Sequence, residues 1–213
     1  MSLILIIDDH PLLLEGTLKA IQAEHPEADF LTASHLQEAQ HLLSSHQPDI
    51  LVMDLSLPQT EGTVAEVENG LNFLKKILKD YPNLNIIVQS SYIKALMRLK
   101  PNIDNHHGGF AVADKTLPQS EMINRVNWVM RGLTHTKDLK AGIEVKSEWL
   151  ELLRFAFEEG LQDKAIAIKM NIAERTVRHY WTKLQDVLEI YPEDSKNLRI
   201  LTLKRAREEG LID

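Results

Sequence analysis

The sequence predicts an α/β fold, a (βα)5 doubly wound parallel sheet, followed by a small all-α domain. In the first 130 residues, short apolar runs alternate with segments whose apolar residues recur every three to four positions. Such alternation implies a parallel sheet with helices on both faces. Beyond residue 144 every periodic segment is of the helical kind. A chain of 213 residues is long enough for two small domains.

Five apolar runs are predicted as strands: residues 3–7, 29–32, 50–53, 86–88 and 110–112. The first and third of these runs are apolar at nearly every position, which is typical of strands that helices cover on both sides. Helical periodicity fills the intervals and the end of this domain, at residues 12–23, 36–43, 71–78, 92–99 and 120–130.

The periodic pattern lapses in the segment GLTHTKDLKAGIE, which begins at Gly132. We therefore expect one domain over residues 1–132, a linker over 133–144 and a helical domain over 145–213. Helices are predicted in the last domain at residues 147–159, 162–170, 174–190 and 198–209. Gly160 and Gly210 stand where C-terminal helix caps belong.

Composition excludes several classes of protein. There are no cysteines, so disulfides, thiolate metal sites and cysteine nucleophiles are ruled out. The apolar start stops at two aspartates and has no basic segment before it, so no signal peptide is expected. Apolar runs stay well short of the roughly 18 residues of a membrane helix, so we expect a soluble, cytoplasmic protein without a membrane partner.

The charge distribution points to one surface in the second domain. The net charge of −7 argues against indiscriminate binding of nucleic acid. From residue 164 to 183, however, the only acidic residue is Glu174, against five basic ones: Lys164, Lys169, Arg175, Arg178 and Lys183. A basic stripe of this kind fits a DNA-facing surface. Taken alone, it fits an ordinary solvated helix face better.

Polar residues follow four of the predicted strands, at the sheet edge where open α/β folds bind ligands. They are Asp8 and Asp9 after the first strand, Asp54 after the third, Ser90 after the fourth and Lys115 after the fifth. Clustered carboxylates repel one another, and a Mg2+ ion, which prefers oxygen ligands, relieves the repulsion. One carboxylate could then attack a phosphoryl group while a lysine neutralises its oxygens. Each residue alone fits a helix cap or a surface charge, but their joint arrangement favours a site.

The segments IIDDHPLLLEG and PDILVMDLSLP carry a specific resemblance. Residues 1–132 resemble a response-regulator receiver domain, whose fold is flavodoxin-like. The resemblance implies that Asp54 is the phosphoacceptor. It implies Mg2+ ligands at Asp8, Asp9, Asp54 and the carbonyl of Ser56. It also implies that Ser90 is the switch hydroxyl and that Lys115 occupies the position of the family's lysine.

The chain departs from the receiver pattern in two places. Residues 59–70, QTEGTVAEVENG, make the connection after the third strand longer than usual, which indicates a surface loop insertion or a partner-specific lid. Val112 occupies the aromatic switch position, three residues before Lys115. Phe110, two residues earlier on the same strand face, is the candidate substitute.

The segment EEGLQDKAIAIKMNIAERTVRHYWTKLQDVLEI predicts a helix, a turn at residues 171–173 and a second helix. It resembles the LuxR/NarL-type helix-turn-helix, although Tyr180 replaces the usual His and Val187 the usual Lys. The buried stripe of the second helix is predicted at Val177, Tyr180 or Trp181, Leu184 and Leu188. The DNA-binding candidates are Lys164, Arg175, Thr176, Arg178, His179, Thr182 and Lys183. The end of the chain, LRILTLKRAREEGLI, resembles the family's dimer-forming helix and implies a homodimer.

Together these features predict a two-component response regulator rather than an enzyme. A histidine kinase would phosphorylate Asp54 and thereby control DNA binding and transcription. An aspartate-nucleophile phosphatase would need a second carboxylate two residues later, where this chain has Ser56. An adaptor that binds only proteins is the remaining alternative, favoured by Val112 and by a second domain with more acidic than basic residues.

Overall fold

The chain divides into two compact units, Met1–Leu139 and Lys140–Asp213. The computed structural model describes residues 2–136, 145–192 and 196–212, so most of the predicted linker, residues 137–144, lies outside the described residues. Within the described ranges, each helix is too short or too polar to cross a bilayer.

The first unit is built on a five-stranded parallel sheet. Its strands are β1 (Leu3–Ile7), β2 (Asp29–Ala33), β3 (Ile50–Met53), β4 (Asn85–Ser90) and β5 (Phe110–Asp114). The strand order is β2-β1-β3-β4-β5, and every neighbouring pair is parallel. The predicted (βα)5 sheet is therefore confirmed, with β1 at the position where the strand order reverses.

Helices cover both faces of the sheet. They are α1 (Pro11–Glu24), α2 (Leu36–His46), α3 (Val67–Asp80), α4 (Lys100–Asp104) and α5 (Gln119–Met130). Ile21 of α1 and Val126 of α5 pack with Ile4 and Ile6 of β1 in one apolar core. The alternate residues of β1, such as Leu5, are equally buried and face the other side of the sheet. Burial on both faces explains why β1 and β3 are apolar throughout.

The helix predicted over residues 92–99 takes a different form. Residues Ile93–Leu99 are a 3-10 helix, and a short α-helix, α4, follows at once. Pro101 explains the break, because its ring lacks an N–H and fits the first turn of a new helix rather than the interior of an existing one.

The long connection after β3 is held to α2. The backbone N–H of Leu36 donates to Pro58 O at 3.0 Å, and that of Gln37 donates to Gln59 O at 3.1 Å. These bonds satisfy two of the amides that the start of a helix leaves without partners. Leu57 and Glu66 form an antiparallel bridge that closes the loop, and α3 begins at Val67. The connection is therefore an ordered loop whose last residues are the first turn of α3.

Residue 135 of the predicted linker belongs structurally to the first unit. The backbone N–H of His135 donates to Phe110 O at 2.7 Å, and His135 O accepts from the N–H of Val112 at 3.4 Å. Its ring lies 4.6 Å from the Trp128 ring, between centroids. The chain thus continues along the edge of β5 past residue 132, the expected end of the domain.

The second unit is helical, as predicted. Its helices are α6 (Ser147–Phe157), α7 (Asp163–Lys169), α8 (Glu174–Val187) and α9 (Leu198–Glu208). Gly160 and Gly210 follow α6 and α9 with φ of 67° and 68°, the left-handed backbone expected of C-terminal caps. Asn171, in the turn between α7 and α8, has φ of 54°. The last residues predicted for α6 and α8 lie beyond the ends of those helices.

Two glycines on the helices of the first unit should respond in opposite ways to substitution by alanine. A Cβ on Gly70 of α3 would lie 2.0 Å from Leu55 O, whereas one on Gly16 of α1 would meet nothing within 4 Å. We expect Gly70→Ala to destabilise the first unit by roughly 3 kcal/mol. Gly16→Ala, the control, should stabilise it by about 0.5–1 kcal/mol, because alanine loses less backbone entropy in a helix. The free energy of unfolding of the first unit can be measured from hydrogen exchange of the β3 amides over a series of urea concentrations. An unchanged free energy for Gly70→Ala would contradict the packing described.

Candidate functional site

The parallel sheet brings three of the predicted site residues together at the carboxyl ends of its strands. Lys115 Nζ, just after β5, donates to Asp8 Oδ2 at 2.7 Å and to Asp54 Oδ2 at 2.8 Å. Asp8 is 5% exposed and Asp54 is 4% exposed. Residues as far apart in the chain as positions 8 and 115 therefore form one buried charge cluster.

The ammonium group of Lys115 is held in its charged form. Burial lowers the pKa of Lys115, but hydrogen bonds to Asp54 and Asp8, with the attraction of both carboxylates, outweigh it. The net result is a pKa raised above the ordinary value of 10.5. The positive charge of Lys115 thus lies beside two buried carboxylates. Its attraction to them offsets part of the free-energy cost of removing their charges from water.

Asp54 is fixed by the backbone on its other side. Its Oδ1 accepts from the N–H of Leu55 at 2.6 Å, and its own N–H donates to Ile7 O at 3.0 Å. The side chain therefore stands at the end of β3 with both oxygens held by donors. A carboxylate positioned in this way can act as a nucleophile without searching among rotamers.

Asp9 and His10 extend the cluster towards solvent. His10 Nδ1 lies 2.8 Å from Asp9 Oδ1, and the N–H of His10 donates to Asp8 Oδ1 at 2.9 Å. Donor atoms of Asp8, Asp9 and His10 lie within 4.8 Å of one another, a set that could hold a metal ion. The two carboxylates fit Mg2+, a hard cation with a preference for oxygen. The sequence missed His10 as a member of this group, although the DDH run was visible.

Ser56 and Ser90 differ in how far the structure defines them. Ser56 is half-buried in the loop two residues after Asp54, and its role as a carbonyl ligand stays a prediction. Ser90 is fully buried at the end of β4, and its Oγ accepts from the N–H of Tyr92 at 3.1 Å. The N–H of Lys115 donates to Ser90 O at 3.4 Å, so the backbone joins the serine to the lysine.

The position of the family's aromatic switch is enclosed. Val112 and Phe110 are both fully buried. Val112 O accepts from Arg125 Nε at 2.5 Å, and the Arg125 side chain also binds the backbone and carboxylate of Glu121. Arg125 is 4% exposed and was not among the predicted site residues. The signal was a basic residue on the apolar face of α5, next to Val126.

The DNA-binding candidates are mostly exposed. Lys164 lies on α7, and the other six lie on α8. All of them are exposed except Thr176, which is half-buried. On the opposite face of α8, Val177, Trp181 and Leu184 are buried, which settles the open choice in favour of Trp181 over the half-buried Tyr180.

Two basic candidates on α8 make only weak ion pairs on their own helix. Arg178 Nη2 lies 3.3 Å from Glu174 Oε1, and Lys183 Nζ lies 3.9 Å from Asp186 Oδ2, with more than half of each basic side chain exposed. Arg175 makes no hydrogen bond or ion pair to any described residue. Exposed pairs of this kind contribute little to stability, so these cations are available to an anionic partner.

Comparison with known proteins gives matches over the whole chain. Residues 4–127 match the family model of the response regulator receiver domain. The chain is 26% identical over 226 residues to the DNA-binding transcriptional activator DevR/DosR of Mycobacterium tuberculosis, covering 99% of each. It is 26% identical over 209 residues to the oxygen regulatory protein NreC of Staphylococcus carnosus, covering 88% of this chain and 91% of NreC. A solved complex of the two-component response regulator RcsB with DNA has the same fold, with a TM-score of 0.60 and 20% identity over 97% of this chain and 98% of RcsB.

The lysine bridge predicts a large loss of stability on its removal. Lys115→Met leaves two buried carboxylates without their cation and should destabilise the first unit by roughly 3–5 kcal/mol at neutral pH in EDTA. Because the pKa of Lys115 is higher in the folded state, its contribution is complete below about pH 10.5 and is lost only as the pH rises through the folded value. Denaturant unfolding at pH 7 and pH 10 should therefore give the same difference from the wild type.

Lys19→Met is the control for this experiment. Lys19 pairs with Glu15 on the exposed face of α1, so its removal should change stability by less than about 1 kcal/mol. If Lys115→Met were no more harmful than Lys19→Met, the bridge would not hold the site together.

Proposed function

Because the chain belongs to the response regulator receiver family, we propose that phosphorylation of Asp54 controls DNA binding, and thereby transcription, through the helical output unit. The observation that carries this proposal is the Asp8–Lys115–Asp54 cluster, since it joins a positioned carboxylate to a fixed positive charge. The chain is thus a two-component response regulator with a receiver unit and a helix-turn-helix unit.

Asp54 is the proposed nucleophile. Its carboxylate would attack the phosphorus of a phosphohistidine on a sensor kinase, forming a P–O bond as the P–N bond breaks. Lys115 would then exchange one of its two carboxylate partners for an oxygen of the new phosphoryl group. Ser90, at the end of β4, would donate its hydroxyl hydrogen to a second phosphoryl oxygen, which is the role of a switch hydroxyl.

Mg2+ is the proposed cofactor, held by Asp8, Asp9, Asp54 and the carbonyl of Ser56. When bound, it would supply further positive charge for the phosphoryl oxygens. The side chains of Asp8 and Asp54 keep their attachment to Lys115 in the described state, so they are already oriented towards one another. Asp9 is partly exposed and contacts His10, which leaves it accessible from solvent.

The proposed DNA-binding surface is the exposed face of α8, with Lys164 of α7 beside it. The first turn of a recognition helix reaches base edges, and cations further along the helix bind phosphate. Arg175 lies in that first turn, whereas Lys183 lies more than two turns later. DevR/DosR is named as a DNA-binding activator and RcsB was solved on DNA, which supports the same role for this chain. A DNA-binding role implies a cytoplasmic location.

A homodimer through α9 is the proposed assembly. Ile200 of α9 is 64% exposed, an apolar side chain on a surface that would otherwise be polar. Phosphorylation would shift an existing equilibrium towards the form that binds DNA, so the phosphoryl group must favour that form.

An adaptor role remains the second candidate. Val112 at the aromatic switch position and a second unit with more acidic than basic residues favour it. In this case the output unit would bind a protein in either phosphorylation state and would show no affinity for selected DNA.

Phosphorylation is tested with acetyl phosphate and Mg2+. We expect one acid-labile phosphate per chain, and none after Asp54→Ala, because the variant lacks the nucleophile. Asp80→Ala, at the exposed end of α3, is the control and should take up phosphate at the wild-type rate. Asp9→Ala should weaken Mg2+ binding measured by calorimetry. Wild-type labelling of Asp54→Ala would refute the assignment.

DNA contacts are tested on a duplex selected from a random library with the full chain. Arg175→Ala or Arg178→Ala should weaken binding by about 1–3 kcal/mol and relax the preference at one base pair. Lys183→Ala should weaken binding evenly across sequences and lower the salt slope by roughly one unit, as the loss of a phosphate contact does. Lys79→Ala, exposed on α3, is the control. If every variant bound like the wild type, α8 would not read DNA.

A further inference from the structure

One carboxylate joins three helices of the output unit. Asp163, the first residue of α7, accepts at Oδ1 from Trp181 Nε1 of α8 at 3.1 Å. Both of its oxygens accept from Arg199 Nη2 of α9 at 2.9 Å. Residues 163 and 199 are 36 positions apart, so this contact exists only in the folded unit.

Trp181 is the common support of this cluster. The Arg199 guanidinium carbon lies 3.5 Å from the centroid of the Trp181 ring, a stacked cation–π contact. The same indole also contacts Phe157 of α6, with 5.7 Å between ring centroids in an edge-to-face arrangement. Trp181 is 3% exposed and lies on α8 between Arg178 and Thr182, two of the DNA-binding candidates. The rotation of α8 about its axis is therefore tied to the cluster.

The DNA-binding candidates lie on two helices, so the placement of α7 against α8 decides whether they can engage one duplex. Lys164 is adjacent to Asp163 in the chain, and Arg178 precedes Trp181 by one helical turn. Holding recognition groups in the bound geometry before binding improves affinity without any new contact. Arg199 fixes that placement from α9, through Asp163 and the Trp181 ring.

We propose that Arg199 is a positioning residue for DNA binding, which acts through Asp163 and Trp181 and contacts no DNA itself. This inference rests on the proposed DNA-binding function. It assigns to α9 a role besides dimerisation. Arg199, in the first turn of α9, fixes the position of α7 relative to α8, the two helices proposed to contact DNA.

Two single substitutions separate positioning from simple electrostatics. Asp163→Ala removes a negative charge beside Lys164, and electrostatics alone predicts tighter binding to phosphate. Positioning predicts weaker binding, with Kd raised about tenfold, the factor expected from losing one charge-assisted hydrogen bond. Arg199→Ala should have the same effect. The double variant should be no worse than either single one, because both act through one contact.

The measurement is fluorescence anisotropy of the full chain on a selected duplex and on a scrambled one, at several salt concentrations. Arg199→Ala should leave the salt slope unchanged and should reduce the preference for the selected duplex. Partial unfolding would lower the active fraction equally for both duplexes and so leave that preference intact. Arg199→Lys, which keeps the charge but loses the planar stack, should raise Kd to an intermediate extent and serves if Arg199→Ala does not fold.

Arg205→Ala is the matched control, because Arg205 pairs with Glu208 and Glu209 at the C-terminal end of its own helix. It should bind within about twofold of the wild type. The inference is overturned if Asp163→Ala binds as tightly as the wild type, or if Arg199→Ala lowers the salt slope by about one unit, as a phosphate contact would. Absence of wild-type binding to any selected duplex would instead overturn the DNA-binding function, and this inference with it.

Discussion

The bridge from Lys115 to Asp8 and Asp54 is the interaction on which the receiver unit depends. Two carboxylates with 5% and 4% exposure repel each other, and each is unfavourable in the interior without a cation. The strand order solves this problem, because β1 and β3 are neighbours and β5 lies two strands from β3 on the same sheet. The carboxyl ends of the three strands therefore deliver two acids and one lysine to the same edge.

The same bridge suits the proposed phosphorylation of Asp54. A lysine that holds two carboxylates has one partner to exchange when a phosphoryl group arrives, so the charge pattern can change without unfolding the sheet. Beyond Lys115, the edge of β5 is bonded to Arg125 of α5 and to His135. Hydrogen bonds thus join β5 to residue 135, near the C-terminal end of the first unit.

The sequence predicted what local patterns encode. Strands over residues 3–7 and 50–53 agree with the structure to the residue, because strands buried on both faces are apolar throughout. The sequence also predicted that Asp8, Asp54 and Lys115 meet at one edge of the sheet, since each follows a strand, but not the ion pairs between them. Long-range side-chain contacts could not be foreseen, and the Asp163–Arg199 pair joins positions that no spacing rule relates. The 3-10 segment before α4 was missed because helical periodicity does not distinguish helix types over so few residues.

The link between phosphorylation of Asp54 and DNA binding is the central event proposed for this protein. The most direct measurement is the affinity of the full chain for a selected duplex before and after incubation with acetyl phosphate and Mg2+, in the wild type and in Asp54→Ala. We predict that phosphorylation tightens wild-type binding by roughly 5- to 150-fold, the range of typical coupling energies, and leaves Asp54→Ala unchanged. Equal affinity in all four samples, or an equal gain in Asp54→Ala, would contradict it.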